Sequence, residues 1–309
     1  MSHFVDQVTQ PASATRPAEE NDSTSRTLLG GLVGPTWIWL VLFMLLPLLL
    51  MFLMTFRTDA FNWSSWEFTL ENYRRFIETP SYHRLLLRSV WLAFVVAALS
   101  IIMAYPVAYF VAFHAGRWRN LLITLLIIPA MSSFLLRVLA WRIILGSSGF
   151  LSTFLLSMGL IDERAPILLY TPTAVIITLV YVWLPYAALP IAVALNQIEP
   201  NLLEAASDLG AKPITTFLRV TLPLSLPGVL AAFLFVFIPT LGEYVTPALV
   251  GGPEGIMIGN IIWDQFSRAL NWPMGAVLSL SILLVILIPA GLVSLFSKVS
   301  NQRMASRYE

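Results

Sequence analysis

The sequence predicts an all-α membrane protein with six transmembrane helices, and three observations predict it. Of 309 residues, 58% are hydrophobic and only 11% charged, where soluble domains carry about 25% charged residues; mean hydropathy is +0.79. Apolar stretches of the roughly 20 residues needed to cross a bilayer recur along the chain. Those stretches are continuous, whereas a barrel strand would alternate over about 10 residues.

Residues 1–27 are rich in Ser, Thr, Pro and acids and read as a disordered tail. The first apolar run begins near Leu28 and is too long for a signal-peptide core, so it is expected to stay as a membrane anchor. The six spans are read as Leu28–Phe56, Ser89–Ala115, Leu121–Leu145, Leu168–Leu195, Ser225–Val250 and Met274–Phe296. Pro47, Pro106, Pro129, Pro185 and Pro239 fall inside them; packed neighbours and Ser/Thr side chains can satisfy the carbonyls that proline frees. Residues 57–88 mix Trp63, Trp66, Tyr73, Phe76 and Tyr82 with charges, which suggests a folded or interfacial segment. Residues 251–273, with Trp263 and Trp272, form a second long loop on the same side, and residues 297–309 form a short polar tail.

Six spans place both termini on one side. Charge bias does not choose it, because nine Lys/Arg fall on each side; the compact turn Gly116–Asn120 with Arg117 and Arg119 favours that side as the inner one. A net charge of +1 argues against a nucleic-acid partner. The absence of cysteine rules out disulfides and thiolate metal sites. The only lysines, Lys212 and Lys298, follow no glycine-rich phosphate loop, so this chain is not expected to bind ATP. His3, His83 and His114 are scattered, no H-E-x-x-H or G-x-S-x-G occurs, and hydrolase chemistry is not expected.

The polar stretch at about 196–223, between the fourth and fifth spans, is the most informative. Pro200 ends the fourth helix's pattern; Asn201 and Glu204 have the spacing of a capping box. Leu202, Leu203, Ala206 and Leu209 form one helical stripe. Gly210 suits a helix C′ position and Pro213 the first turn of a second short helix, with Phe217 and Val220 facing inward. Helix, glycine turn, helix is the pattern. It fits a surface hairpin of no special purpose and equally a helix that docks in a partner's groove.

The run Glu204-Ala205-Ala206, three residues, Gly210, nine residues, Val220-Thr221-Leu222-Pro223 resembles the "EAA" loop of type I ABC-importer permeases, in which Ile stands at the position of Val220. Across residues 28–296 the chain looks most similar to the polyamine (putrescine/spermidine) branch. The runs Ser132–Arg137 with Trp141, Phe237–Pro239, Gly242–Pro247, Gly251–Pro253, Ile256–Gly259 and Asn271–Pro273 carry that likeness. Ser152 departs from it, where relatives often have Asn. The resemblance implies the permease fold with cytoplasmic coupling helices, and an ATPase-coupling loop formed by Glu204, Ala205, Ala206, Asp208, Gly210 and Pro223. It also implies a bacterial inner-membrane location with cytoplasmic termini. The implied partners are an ABC ATPase dimer carrying ATP-Mg, a second and different permease subunit, and a soluble solute-binding protein. Another small cation, amino acid derivative or opine-like solute is the alternative substrate.

Charges inside the spans complete the reading. Arg137 and Arg142 lie in the third stretch and Glu243 in the fifth, seven residues before its outer end. Burying such groups at mid-bilayer costs about 2.5–3.5 kcal/mol on insertion scales, so each should face the bundle interior or a wet cavity. Glu243 either lines the pathway and attracts a cation or pairs with Arg137 or Arg142 as structural intramembrane charge. Tyr244, Trp183, Trp263 and Asp264 could add aromatic faces or charge toward an amine. An ion-gradient carrier would show coupling acids near the midplane and repeated halves; an intramembrane enzyme would show paired catalytic groups. Neither pattern is present in the sequence.

Overall fold

The computed structural model describes residues 22–58, 67–161 and 168–305, with side chains over residues 34–58, 67–161 and 168–293. Most of the tail read at 1–27, together with Trp63, Trp66 and Arg164, lies outside the described residues. The chain divides into residues 1–51 and residues 52–309. Helix α1 (Asp22–Met54), which carries most of the first unit's described residues, starts inside the stretch read as the tail and is long and apolar enough to span over its described residues Gly34–Met54.

The second unit is a helical bundle centred on three long helices: α3 (Pro80–Phe113), α7 (Pro172–Asn196) and α10 (Leu222–Leu241). Small and branched side chains fill the space between them. Ala93, Val96, Ala97 and Ala104 of α3, Val175, Leu179, Ala187, Ala188 and Ile191 of α7, and Ala232, Val236 and Leu241 of α10 are all fully buried. Alanine and glycine let helix backbones approach closely, which is how apolar helices gain contact where no hydrophobic effect separates them from lipid. Gly228 of α10 shows this directly: a Cβ there would run into Ala194 and lie 2.7 Å from the Pro190 carbonyl oxygen.

Among the described residues six helices are long and apolar enough to span a membrane: Gly34–Met54, Pro80–Phe113, Phe134–Ser157, Pro172–Asn196, Pro213–Leu241 and Trp272–Val293. Three differ from the sequence reading. The second helix begins at Pro80 rather than Ser89, because proline at the first helical position extends it through the polar residues His83, Arg84 and Arg88. The stretch read as one span at Leu121–Leu145 is two helices, α4 (Arg119–Met131) and α5 (Phe134–Leu145). Pro129 and the extended backbone of Ser132 (ψ 159) separate them. The spanning helix instead runs from α5 through a turn into α6 (Phe150–Ser157).

The fifth span is shifted toward the loop before it. The second short helix read at Pro213 is the start of the span itself: α9 (Pro213–Thr216) leads through a π turn, Phe217–Thr221, into α10. In that turn the Leu222 amide bonds the Phe217 carbonyl five residues back. At its far end the helix stops at Leu241, so Glu243 lies beyond the span and not within it.

The other connections are short helices. α2 (Glu71–Glu78) is tied to the end of the first span by Asn72, whose Nδ2 donates to the Thr55 and Arg57 carbonyls at 3.0 and 2.8 Å, and by a 2.8 Å Thr55–Tyr73 hydroxyl contact. The segment from residue 67 is therefore folded, as its aromatic and polar mixture suggested. α8 (Pro200–Asp208) lies between the fourth and fifth spans. α11 (Gly252–Gly255) and α12 (Ile258–Ser267) precede α13 (Trp272–Ala305), which continues through most of the stretch read as the C-terminal tail.

Candidate functional site

Two regions hold most of the residues that the sequence singles out: the polar loop around α8 and the segment from Gly242 to Asp264.

In the loop, the proposed capping box does not form. Glu199 is the N-cap, with no side-chain cap bond, and Pro200 takes the first helical position. Proline there has no amide to satisfy and a φ already set for a helix, so it displaces the Asn201 start. The C-terminal end follows the sequence reading. Gly210 has φ +76; its amide donates to Ser207 O at 2.9 Å and the Ala211 amide to Ala206 O at 3.0 Å. Those two bonds around a left-handed residue are a Schellman cap. The apolar stripe splits. Leu203 and Ala206 are half-buried, whereas Leu209 is 89% and Leu202 46% exposed. Ile214 just beyond is 74% exposed. Glu204, Ala205 and Asp208 are also exposed, and Pro223 follows the π turn.

The Gly242–Asp264 segment is irregular but closely held. One carboxylate oxygen of Glu243, Oε1, accepts the amides of Val245 and Thr246 at 2.8 and 3.1 Å, holding the two residues that lead into the π turn Pro247–Gly251. Asn260 clamps the strand of chain before it: Oδ1 accepts the Met257 amide at 3.0 Å and Nδ2 donates to Tyr244 O at 2.7 Å. The Ile258 amide donates to Ser89 Oγ at 2.8 Å, which anchors α12 to the second span. Gly259 sits on this backbone; a Cβ there would be 2.7 Å from the carbonyl oxygens of both Gly242 and Glu243. Irregular backbone at such a place is tolerated because protein groups, rather than lipid, meet its polar atoms.

Tyr244 and Trp263 stack nearly parallel, centroids 4.8 Å apart and planes 9° apart, and both remain partly exposed. Glu243 and Asp264 flank that pair along the chain. Burial pushes the Glu243 carboxyl above its ordinary range, and the Thr246 and Val245 amides pull it partly back. Asp264 makes a 3.4 Å pair with Arg268 at an exposed position. The structure thus joins Tyr244 with Trp263, while the acids that adjoin them in sequence are bonded elsewhere, Glu243 to backbone amides and Asp264 to Arg268. Trp183 stands apart on α7, its ring edge-on to Tyr186 at 5.5 Å.

The ion pair expected between Glu243 and an arginine does not form. Arg137 is buried on α5 and donates from Nη1 to the Val182 carbonyl at 3.2 Å, while Glu243 is committed to backbone amides. With Glu243 outside the span and Arg137 turned onto α7, the two charges do not meet, and the buried Arg137 Nε is left without a hydrogen-bond partner. The sequence reading also missed Ser89, Asn260 and Gly259. Asn260 stands three residues after Met257, the spacing of a reciprocal cap, and was legible in principle; Ser89 meets its partner 169 residues away and carried no local signal.

Among the described residues the chain is a helical membrane protein with six candidate spans and an exposed, helix-capped loop between the fourth and fifth. The chain matches the family model described as "Binding-protein-dependent transport system inner membrane component" over residues 99–305, and it belongs to that family. It is 39% identical over 248 residues to the spermidine/putrescine transport system permease protein PotB of Escherichia coli (strain K12), covering 80% of this chain and 90% of that one. It is 35% identical over 265 residues to the inner membrane ABC transporter permease protein YdcU of the same organism, covering 81% and 83%. Among solved structures, a bacterial ABC transporter that imports the acidic polysaccharide alginate has a chain of the same fold, with TM-score 0.62 and 18% identity over 88% of this chain and 97% of that one. The chain is accordingly a multi-pass membrane protein with the permease fold.

Proposed function

We propose that this chain is the membrane-spanning subunit of an ATP-driven importer that carries polyamines of the putrescine and spermidine kind into the cytoplasm by alternating access. The observation that carries the coupling half is the α8 loop. Its Schellman cap fixes the helix end, and it leaves Leu209 and Ile214 bare at 89% and 74% exposure. Two bare apolar side chains on a polar loop suit cover by a soluble protein, and in this reading that protein is an ABC ATPase dimer holding ATP-Mg. The loop, and with it both termini, then faces the cytoplasm. A second, different permease subunit completes the pathway, and a soluble binding protein delivers substrate to the outer segments.

The identity to the spermidine/putrescine permease relative supports the substrate class. So does the outer site: the Tyr244–Trp263 stack with Glu243 and Asp264 adjoining it in sequence offers π faces and carboxylates, the groups that attract an ammonium ion. Residues 28–296 form the permease domain, with 196–223 as its coupling loop.

Uptake of labelled putrescine and spermidine in cells with and without the chain tests this, using unlabelled cations, amino acids and sugars as competitors. Loss of polyamine uptake on deletion is the expected result. Unchanged uptake in cells lacking any redundant system would overturn the substrate assignment.

A further inference from the structure

The docking loop can drive transport only if its displacement reaches the spans, and one cluster stands where that must happen. Just after Gly210 the fifth span begins with α9, and seven residues after Gly210 comes its π turn Phe217–Thr221. Phe217 from that turn sits edge-on to two rings of the second span, Tyr105 at 5.6 Å and 89° and Tyr109 at 6.1 Å and 75°. One turn further, fully buried Ser225 meets the Tyr105 hydroxyl at 2.8 Å, while its own hydroxyl reaches the Leu222 carbonyl at 3.1 Å. Three residues further along α10, Gly228 packs against Pro190 and Ala194 of the fourth span so closely that no side chain fits.

We propose that Tyr105, Phe217 and Ser225 form the coupling node that passes movement of the α8 loop to the second span. This rests on the proposed role of that loop. The physical reasoning has three steps. A π turn is a local widening of the helix and a place where a helix can change its winding, so it is the soft joint between loop and span. Beyond it, α10 is tied to two neighbouring helices, by a directional hydrogen bond to α3 and by backbone-close packing on α7. Edge-to-face rings and a buried hydroxyl pair fix an angle as well as a distance, so rotation at the turn is passed to α3 rather than dissipated in side-chain slip. Tyr105, Phe217 and Ser225 are positioning residues in this account and touch no substrate.

The test uses the full complex, with the ATPase, second permease and binding protein, in proteoliposomes. Polyamine uptake and ATP hydrolysis are measured together. Tyr105→Phe keeps the ring and removes the hydroxyl; it should lower uptake per ATP about fivefold, the loss expected for one hydrogen bond, while hydrolysis continues. Phe217→Ala should lower it about tenfold, and Phe217→Tyr or Phe217→Leu should restore part of the loss. Tyr105→Phe combined with Ser225→Ala should be no worse than Tyr105→Phe alone, as partners in one bond are non-additive. Gly210→Val serves as the reference variant. If Gly210→Val lowers uptake per ATP but Tyr105→Phe and Phe217→Ala do not, the node is overturned and the loop assignment stands. If the node variants merely reduce the amount of assembled complex, with uptake per ATP unchanged, their role is structural and the proposal is again overturned. If Gly210→Val itself leaves the ratio unchanged, the loop assignment fails first.

Discussion

The α8 loop and the Gly242–Asp264 segment are both polar breaks between spans, yet they are held in opposite ways. The loop is regular: one helix, a proline start, a glycine end, with its bonds made to near neighbours in sequence. The Gly242–Asp264 segment is irregular, and its bonds run to residues far away, Ile258 to Ser89 and Val250 to Tyr170. A locally determined element can be moved as a body without rewriting its own contacts, which suits a part pushed by a partner. A segment stapled to second and fourth spans shifts only when they do, which suits a part that must open and close with the pathway.

That contrast can be broken at Gly259. Gly259→Val puts a branched side chain 2.7 Å from two carbonyl oxygens with no flexible atom to yield. Overpacking of this kind costs about 1–3 kcal/mol, and here it also disturbs the Asn260 clamp. Folded chain in membranes, followed by protease resistance and detergent extraction, should fall by tenfold or more, the largest effect among these variants.

Gly210→Val and Glu204→Lys sharpen the other side. Valine at φ +76 costs on the order of 1–2 kcal/mol, spent on a loop exposed to solvent. Lysine reverses the charge of an exposed residue at the middle of α8, on the surface proposed to meet the partner. Both should leave insertion and membrane level intact while lowering transport several-fold; normal transport by both would defeat the coupling role.

Glu243→Gln separates two roles of one residue. Its amide oxygen still accepts the Val245 and Thr246 amides, so the fold should persist, but the charge is gone. The polyamine concentration for half-maximal uptake should rise about three- to tenfold. Because burial raises this carboxyl's pKa, acidification protonates it before an ordinary glutamate. Wild-type affinity should therefore weaken as pH falls through the mildly acidic range, and Glu243→Gln should flatten that dependence. An unchanged affinity and pH profile would leave Glu243 a backbone cap alone. Asp264→Asn should have the smallest effect, twofold or less in the same assay, since its pair with 79%-exposed Arg268 is screened by solvent.

The helical, six-span class was legible because bilayer thickness and backbone hydrogen bonding leave few alternatives. The glycine end of α8 was legible because a Schellman cap is a local device. Span limits were read less well. Hydropathy cannot see that Pro80 and Pro213 start helices before the apolar run, or that Ser132 interrupts one. Glu243 was misplaced for a related reason: the apolar run continues to Val250, but the helix stops at Leu241 and the remainder packs as a π turn on α7. The stacked Tyr244–Trp263 pair was named residue by residue without any sign of contact, because 19 positions separate the two rings and only the fold brings them together.

The most direct test compares Gly210→Val and Glu243→Gln in one proteoliposome assay of the assembled importer, measuring uptake per ATP hydrolysed across a range of polyamine concentrations. The account predicts that Gly210→Val lowers uptake per ATP and leaves the half-maximal concentration unchanged. Glu243→Gln should raise that concentration and leave the ratio unchanged. If both variants alter the same parameter, or if Gly210→Val leaves uptake per ATP intact, the division between an inner coupling loop and an outer recognition segment is contradicted.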